Sequence, residues 1–172
     1  MKVITFSRNF PAKHPRKGQP TYFVEKIWEY IAVEGIEMED EYYRKLPECD
    51  LAVSQLKTDT IWPKYHTIRR GNRWKVGDWF SPRVWSGKPY TSKQIQFAPP
   101  IQIKKIWNFE MDLNGVYSIN GKYWMEDHEV EELARNDGLS VEDMMYWLMP
   151  NFDKPKEFRG QILCWGENIE YS

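Results

Sequence analysis

The chain has 172 residues, with 24 Lys and Arg against 25 Asp and Glu, and a formal net charge of −1. This near-neutral balance excludes a protein that coats nucleic acid through an overall basic excess. The length suffices for one domain with a substantial core. Two cysteines and three histidines lie far apart in the sequence, so neither a disulfide framework nor a metal site is predicted, and no cofactor is expected.

The first ten residues, MKVITFSRNF, are charged and polar too early to form the apolar region of a secretory signal. No apolar run approaches the roughly 20 residues that a membrane helix needs. We therefore expect a soluble, reduced, cytoplasmic protein with no membrane partner. The sequence leaves the oligomeric state open.

The predicted elements begin with a strand over residues 2–6, where apolar side chains alternate. A loop rich in Pro and Gly follows, and its basic residues are candidates for phosphate contacts. They are Lys13, Arg16 and Lys17. Residues 21–35 predict a helix with one apolar stripe. Residues 40–57 predict a second helical stretch that breaks near Pro47.

After Pro63 the apolar period changes to that of strands. Candidate strands cover residues 66–70, 78–85, 101–112 and 160–171. The pair Asn120-Gly121 lies between two short β-prone runs. It predicts a type I′ hairpin turn, in which both central residues need positive φ.

Two helices are predicted between the hairpin and the last strand. The first covers residues 126–135, and Gly138 is placed to end it. The second covers residues 140–148, with Ser140 as N-cap and Asp143 three residues later in a variant of the capping box. The order of strands and helices predicts an α+β domain with a small curled sheet or β-barrel and flanking helices.

Charge is unevenly distributed along the chain. Eight basic residues and a single acid lie between residues 64 and 93, whereas ten acids and two basic residues lie between residues 110 and 143. One interpretation is that two complementary faces attract each other within the fold. The other is a basic cleft with an acidic wall, which can hold a polyanion or a nucleobase in a near-neutral protein.

The segment KYHTIRR, which begins at Lys64, carries the most specific pattern in the chain. Strand alternation places Thr67 and Arg69 on one face and His66 on the other, which favours a structural role for the histidine. Lys64 lies at the strand entry, directly after a proline, so alternation does not determine the direction of its side chain. Trp85, on the following strand, is a candidate for stacking on a base if it lies near the cleft.

The order of motifs resembles that of ASCH domains in the PUA-like superfamily. It runs from Lys-x-x-Thr-Ile-Arg to Val-Gly-Asp and a Trp-Ser-Gly strand, then SINGKYW and LARNDGLSVEDM, where the family often carries an Ala-x-x-acidic-Gly step. The similarity covers about residues 62–169, which leaves residues 1–60 as an N-terminal elaboration of a single domain over residues 1–172. The resemblance implies a PUA-like small β-barrel with flanking helices and a cleft beside the Lys-x-x-Thr-x-Arg strand. It also implies binding of RNA or of modified nucleosides.

One bacterial branch of this family is similar to small amidohydrolases that remove the acetyl group from N4-acetylcytidine. That branch uses a lysine, a threonine three residues later and a glutamate in the helical segment. The resemblance assigns these roles to Lys64, Thr67 and Asp137. The last is a departure from the family, because aspartate is one methylene shorter than glutamate. A contact tuned to hydrogen-bond length would then need the backbone to move.

The residue types are compatible with such chemistry. A threonine hydroxyl is a weak nucleophile that needs a base, and lysine can be that base only if burial or nearby cations lower its pKa. Arg69 and Arg70 are candidates to supply part of that positive charge and to stabilise an oxyanion. Asp137 lies at a predicted helix C-terminus, where a negative charge is unfavourable by roughly 0.3–1 kcal/mol, a weak sign of a site.

The simpler interpretation gives these residues ordinary roles. Lys64 is then a phosphate contact, Thr67 is a strand residue with high β-propensity, and Asp137 merely ends a helix. The same three positions therefore fit both a catalytic site and a plain binding surface.

Three functions remain open. The first expectation is a module that binds RNA or a modified nucleobase in a basic cleft. Its candidate contacts are Arg69, Arg70, Arg73, Lys13, Arg16, Lys17 and Trp85. The second is a metal-independent amidohydrolase that deacylates an N-acylated pyrimidine nucleoside, such as N4-acetylcytidine, through Lys64, Thr67 and Asp137. The third is a structural or partner-binding protein in which the charge segregation serves only folding.

Overall fold

The computed structural model describes residues 1–49, 61–124, 126–151, 153–154 and 156–171. Its helices are α1 Phe23–Val33, α2 Asp40–Lys45, α3 Asp127–Asn136 and α4 Val141–Leu148, with a 3₁₀ turn at Pro47–Cys49. Its strands are β1 Lys2–Thr5, β2 His66–Arg70, β3 Trp79–Trp85, β4 Gln94–Gln96, β5 Ile101–Gln102, β6 Lys105–Met111, β7 Tyr117–Ile119, β8 Lys122–Trp124 and β9 Phe158–Cys164. The α+β class predicted from the element order is confirmed.

The strands of the described residues form two sheets. In the first, β3 pairs in parallel with β1 and antiparallel with β4 and β5. The second sheet has the order β2-β9-β6-β7-β8 and is antiparallel throughout. No closed barrel is formed among these strands, so the expected small barrel is not confirmed.

The strand predicted over residues 101–112 is divided between the two sheets. The backbone N–H of Ile103 donates to the carbonyl of Asp78 at 2.9 Å, whereas that of Lys104 donates to the carbonyl of Cys164 at 2.8 Å. The chain therefore leaves the first sheet and enters the second between these two residues. Because apolar residues recur through the crossing, the sequence pattern does not reveal it.

Three further boundaries differ from the sequence prediction. The short strand β4 was not predicted, and β9 begins at Phe158 and ends at Cys164 instead of continuing to residue 171. The helical stretch predicted over residues 40–57 divides into α2 and the 3₁₀ turn that begins at Pro47. The part of that prediction beyond residue 49 lies outside the described residues.

The local turn and capping signals are confirmed. Asn120 and Gly121 have φ angles of 49° and 80°, as a type I′ turn requires. Gly138 has a φ of 79° just after α3. The hydroxyl of Ser140 accepts a hydrogen bond from the backbone N–H of Asp143 at 3.1 Å at the start of α4.

The core is built from large rings and joins the N-terminal residues to the rest of the chain. Trp165 is fully buried, with its ring centroid 5.4 Å from that of Phe80 and 6.3 Å from that of Phe6. Ile4 of β1 and Ile27 of α1 belong to the same cluster. The described N-terminal residues therefore share one core with both sheets. None of the helices in the described ranges is long and apolar enough to cross a membrane.

Candidate functional site

A cavity of about 650 Å³ lies beside β2, where the sequence resemblance implied a cleft. Strands β1 and β2 contribute one part of its lining, through Thr5, Thr67 and Arg69 among others. Asp137 lines it from the end of α3, and Trp147 lines it from α4. The cavity therefore lies where the first sheet, the second sheet and the two C-terminal helices meet.

Backbone hydrogen bonds hold Lys64 at the entry of β2. Its N–H donates to the carbonyl of Lys26 in α1 at 3.0 Å, and its carbonyl accepts from the indole N–H of Trp165 at 2.8 Å. The next residue, Tyr65, donates its N–H to the carbonyl of Asn136 at 2.9 Å. This last bond brings the entry of β2 directly against the last residue of α3, and hence brings Lys64 to the residue that follows the helix.

Lys64 and Asp137 form a buried ion pair in this cavity. The Nζ of Lys64 donates to Oδ1 of Asp137 at 2.5 Å and also to the backbone carbonyl of Asp137. Only 1% of Lys64 and 6% of Asp137 is exposed. The aspartate thus makes the contact despite its short side chain. The ammonium also compensates the carboxylate for its unfavourable place at a helix C-terminus.

The turn after α3 is held by a second lysine. Gly138 follows Asp137 and turns the chain with a φ of 79°, a conformation that suits glycine. The Nζ of Lys26 donates to the carbonyl of Gly138 at 2.5 Å and to that of Thr21 at 3.3 Å. Lys26 therefore links α1 to the turn that presents Asp137 to Lys64.

Burial moves the pKa values of both members of the pair toward neutrality. Loss of water lowers the pKa of Lys64, Asp137 opposes that effect, and the charges of Arg69 and Lys26 add to it, with a net pKa of about 8. Burial raises the pKa of Asp137, and here the nearby ammonium of Lys64 opposes the effect. Lys64 is therefore a lysine that can lose its proton near neutral pH.

Thr67 lines the same cavity from β2, where it pairs with Leu163 of β9. The threonine is 6% exposed, and its hydroxyl makes no hydrogen bond to another of the described residues. The structure thus brings all three residues of the proposed catalytic set to one cavity. Of the three, Thr67 is the residue whose side chain makes no hydrogen bond within the part of the chain that the structure describes.

His66 points to the opposite face of β2, as strand alternation predicted. It is fully buried, and its Nε2 lies 2.7 Å from the hydroxyl of Tyr171, which also accepts from the side-chain amide of Asn136 at 3.0 Å. Burial, together with the charge of Lys64, places the pKa of His66 well below its ordinary value. The histidine is therefore a neutral packing residue behind the site, with Nδ1 3.9 Å from Oδ1 of Asp137.

Arg69, Arg73 and Trp85 also line the cavity. Arg69 is half-buried and donates to the carbonyl of Thr5 at 3.0 Å. Its Nε is buried without a hydrogen-bond partner among the described residues. Burial lowers the pKa of Arg69, and the nearby charge of Arg73 adds to that effect.

The other candidate phosphate contacts lie elsewhere. Arg70 is exposed and lies over the ring of Phe158, with 4.6 Å from its guanidinium carbon to the ring centroid. Arg16 lines a smaller cavity and pairs with Asp143 at 2.6 Å. Lys13 and Lys17 are exposed in the N-terminal loop. The predicted basic set therefore divides into a group in the main cavity and a group outside it.

Sequence reasoning missed several residues of the cavity. The Nζ of Lys64 lies 4.5 Å from the ring centroid of Phe23 and 5.9 Å from that of Phe6. Tyr90, in the loop between β3 and β4, is an exposed residue of the cavity lining. Only the convergence of these distant segments makes them neighbours, and no local pattern marks them.

Among the described residues, no group of three or more His, Cys, Asp or Glu side chains is gathered as a metal ion would require. No family model, curated protein or solved structure matches this chain.

Proposed function

We propose that this protein is a small amidohydrolase that removes an acyl group from the exocyclic nitrogen of a pyrimidine base, as in N4-acetylcytidine. The observation that carries the proposal is the Lys64–Asp137 pair, buried in a cavity that Thr67 also lines. A buried lysine with a pKa of about 8 is an unusual choice for a merely structural position. Its place in the same cavity as the Thr67 hydroxyl, which has no partner among the described residues, fits a general base and its nucleophile.

In the first half of the reaction, the neutral amine of Lys64 takes the proton of the Thr67 hydroxyl. The Thr67 oxygen attacks the acyl carbonyl, and the resulting tetrahedral intermediate expels the exocyclic nitrogen of the base. The ammonium of Lys64 returns its proton to that nitrogen, which leaves as a neutral amine. The acyl group is now an ester on Thr67.

In the second half, water replaces the departed base. Lys64 takes a proton from the water molecule while the water oxygen attacks the ester carbonyl. Collapse of the second intermediate releases the carboxylic acid, and the proton on Lys64 returns to the Thr67 oxygen. Asp137 holds the amine of Lys64 in place and steadies the ammonium that forms in each half.

Arg69 is suited to stabilise the oxyanion of both intermediates. Its guanidinium lines the same cavity and is held by the carbonyl of Thr5. A fixed cationic donor in a site of low water content stabilises developing negative charge more than water would. The unpartnered Nε of Arg69 shows that the donors of this guanidinium are not all used within the described residues.

We also propose that the protein is related to the ASCH domains, with their PUA-like barrel, and that it acts on a nucleoside in the cytoplasm. Two observations support it. The cavity lies beside the strand that carries Lys-x-x-Thr-x-Arg, and the acidic step before Gly138 reaches the lysine of that motif.

A second candidate is a module that binds a modified base without hydrolysing it. The observation in its favour is that Lys64 donates to two acceptors of Asp137, which favours the charged ammonium over a free base. In that form Lys64 is a fixed cation at the inner end of a binding cavity and accepts no proton.

Hydrolysis of N4-acetylcytidine, followed by chromatography of released cytidine and acetate, distinguishes the two candidates. The proposed enzyme releases both products in equal amounts, and Thr67→Val, which keeps the shape but removes the hydroxyl, abolishes release. Binding of N4-acetylcytidine without any release would instead favour the binding module. Undiminished hydrolysis by Thr67→Val would exclude Thr67 as the nucleophile.

A further inference from the structure

The residues that line the main cavity differ in how deeply they are buried. Lys64 and Asp137 are buried at the inner end, whereas Trp85 is half-buried. Arg73 and Tyr90 are exposed at the rim. A molecule that extends from Lys64 to this part of the rim therefore passes Trp85 and reaches Tyr90 and Arg73.

Tyr90 is placed at this rim at a conformational cost. Its φ of 65° lies in the left-handed region, which bulky side chains rarely adopt. Tyr90 is 89% exposed, so burial of its side chain does not compensate for the strain. The Tyr90 ring centroid is 5.5 Å from that of Trp85. Strain that packing does not explain concentrates at ligand-binding positions.

Arg73 provides a positive charge at the same rim. Its guanidinium lies over the ring of Trp74, 5.7 Å from the centroid, and makes no ion pair with another described residue. Arg69 lies close enough for the charge of Arg73 to lower its pKa. Three basic side chains line this cavity, with Asp137 as the carboxylate among its lining residues. The cavity is therefore positive toward its mouth.

We propose that the ligand of this cavity is a phosphorylated nucleoside: its base stacks on Trp85 and Tyr90, and its phosphate binds Arg73. Aromatic rings accept a base by stacking, and a guanidinium binds phosphate through paired, charge-assisted hydrogen bonds. This inference rests on the proposed function for the direction of the scissile bond, and it adds the phosphate that the proposed reaction does not require. The phosphate comes either from a free nucleotide or from an RNA chain.

Isothermal titration calorimetry with cytidine and with cytidine 5′-monophosphate tests the inference without any catalytic step. We expect the nucleotide to bind about 10-fold more tightly than the nucleoside at low salt. Arg73→Gln should remove that preference. Arg70→Gln is the matched control, because Arg70 is exposed on the same segment but does not line the cavity. Equal affinities in the wild type, no binding of either ligand, or the same loss in both arginine variants would overturn the proposal.

The stacking part has its own variants. Tyr90→Gly should weaken binding of both ligands about 10-fold and leave the melting temperature unchanged or higher, because glycine relieves the positive φ. Tyr123→Ala, at an exposed tyrosine of β8 outside the cavity lining, should leave binding unchanged. A loss of melting temperature with unchanged binding in Tyr90→Gly would assign Tyr90 a structural role and overturn stacking.

Titration with a short oligocytidylate determines the source of the phosphate. Tighter binding of the oligonucleotide than of the mononucleotide assigns the phosphate to an RNA chain, and the reverse order assigns it to a free nucleotide. A preference for the nucleotide in a protein that does not hydrolyse N4-acetylcytidine would reject the proposed reaction and keep this inference. Hydrolysis of N4-acetylcytidine and of its 5′-monophosphate at the same efficiency, with equal affinities, would reject this inference and support the proposed reaction.

Discussion

The Nζ of Lys64 lies 2.5 Å from Oδ1 of Asp137, although 73 positions separate the two residues in the chain. The contact depends on a neighbouring backbone bond, in which Tyr65 donates to the carbonyl of Asn136. Strand β2 and helix α3 are thus joined one residue away from the pair. Any change that separates these two elements also separates the proposed base from its carboxylate.

Removal of the Lys64 charge should destabilise the protein more than removal of both charges. Lys64→Met leaves the carboxylate of Asp137 buried without its cation. We expect its free energy of unfolding to be about 3 kcal/mol lower than that of the double variant Lys64→Met/Asp137→Asn, which buries no unpaired charge at these positions. Urea unfolding measures both values, and neither variant should hydrolyse the substrate.

Lys93→Met is the control for a lysine whose ion pair is exposed, since its partner Glu48 is at the surface. It should change the free energy of unfolding by less than about 0.5 kcal/mol. If the double variant were as unstable as Lys64→Met, the loss would come from packing and not from the unpaired carboxylate.

Activity should rise with pH through the pKa of Lys64. The proposed base works only as a neutral amine, and burial lowers its pKa to about 8. The logarithm of kcat/KM should therefore rise with a slope of about 1 below pH 8 and level off above it. A profile that is flat from pH 6.5 to 9 would exclude Lys64 as the general base.

The same pKa has a consequence for stability. Lys64 has a lower pKa in the folded protein than its ordinary value of 10.5, so the unfolded chain binds more protons between these two pH values. The contribution of Lys64 to stability should therefore rise from about pH 8 to about pH 10.5. The stability difference between the wild type and Lys64→Met, followed by urea unfolding across this range, isolates that contribution from other titrating groups.

Asp137→Glu should lower activity even though it restores the residue expected from the family resemblance. The aspartate already reaches Lys64, and the site is almost completely buried. An added methylene must displace its neighbours, which typically costs about 1–3 kcal/mol. The melting temperature and kcat/KM should both be lower than in the wild type. A faster Asp137→Glu enzyme would show that the shorter side chain limits the reaction.

Gly160→Ala should disrupt strand β2. A Cβ at position 160 would lie 2.8 Å from a ring carbon of Phe158 and closer still to the backbone carbonyl of Arg69. Because the backbone carbonyl of Arg69 cannot move away easily, we expect a loss of about 3 kcal/mol in the free energy of unfolding. Activity should also fall, because the change in β2 displaces Thr67. Gly87→Ala, where the nearest atom is at an ordinary 3.5 Å, should be nearly neutral.

The local parts of the fold could be read from the sequence. The Asn120-Gly121 turn and the Ser140 cap follow from rules about neighbouring residues, and both are confirmed. The face of β2 that carries Thr67 follows from strand alternation. Prediction failed at residues 103 and 104, where the chain changes sheets without a change in its apolar pattern.

For the candidate site, the sequence by itself determined which residue types were present and that Thr67 and Arg69 share one face of a strand. Only the tertiary structure decided the direction of Lys64, its contact with Asp137, and the place of Phe23 and Tyr90 around the cavity. The physical reason is that desolvation and ion pairing depend on distances between segments far apart in the chain. The pKa of a lysine therefore changes with its burial in the fold and not with its neighbours in sequence.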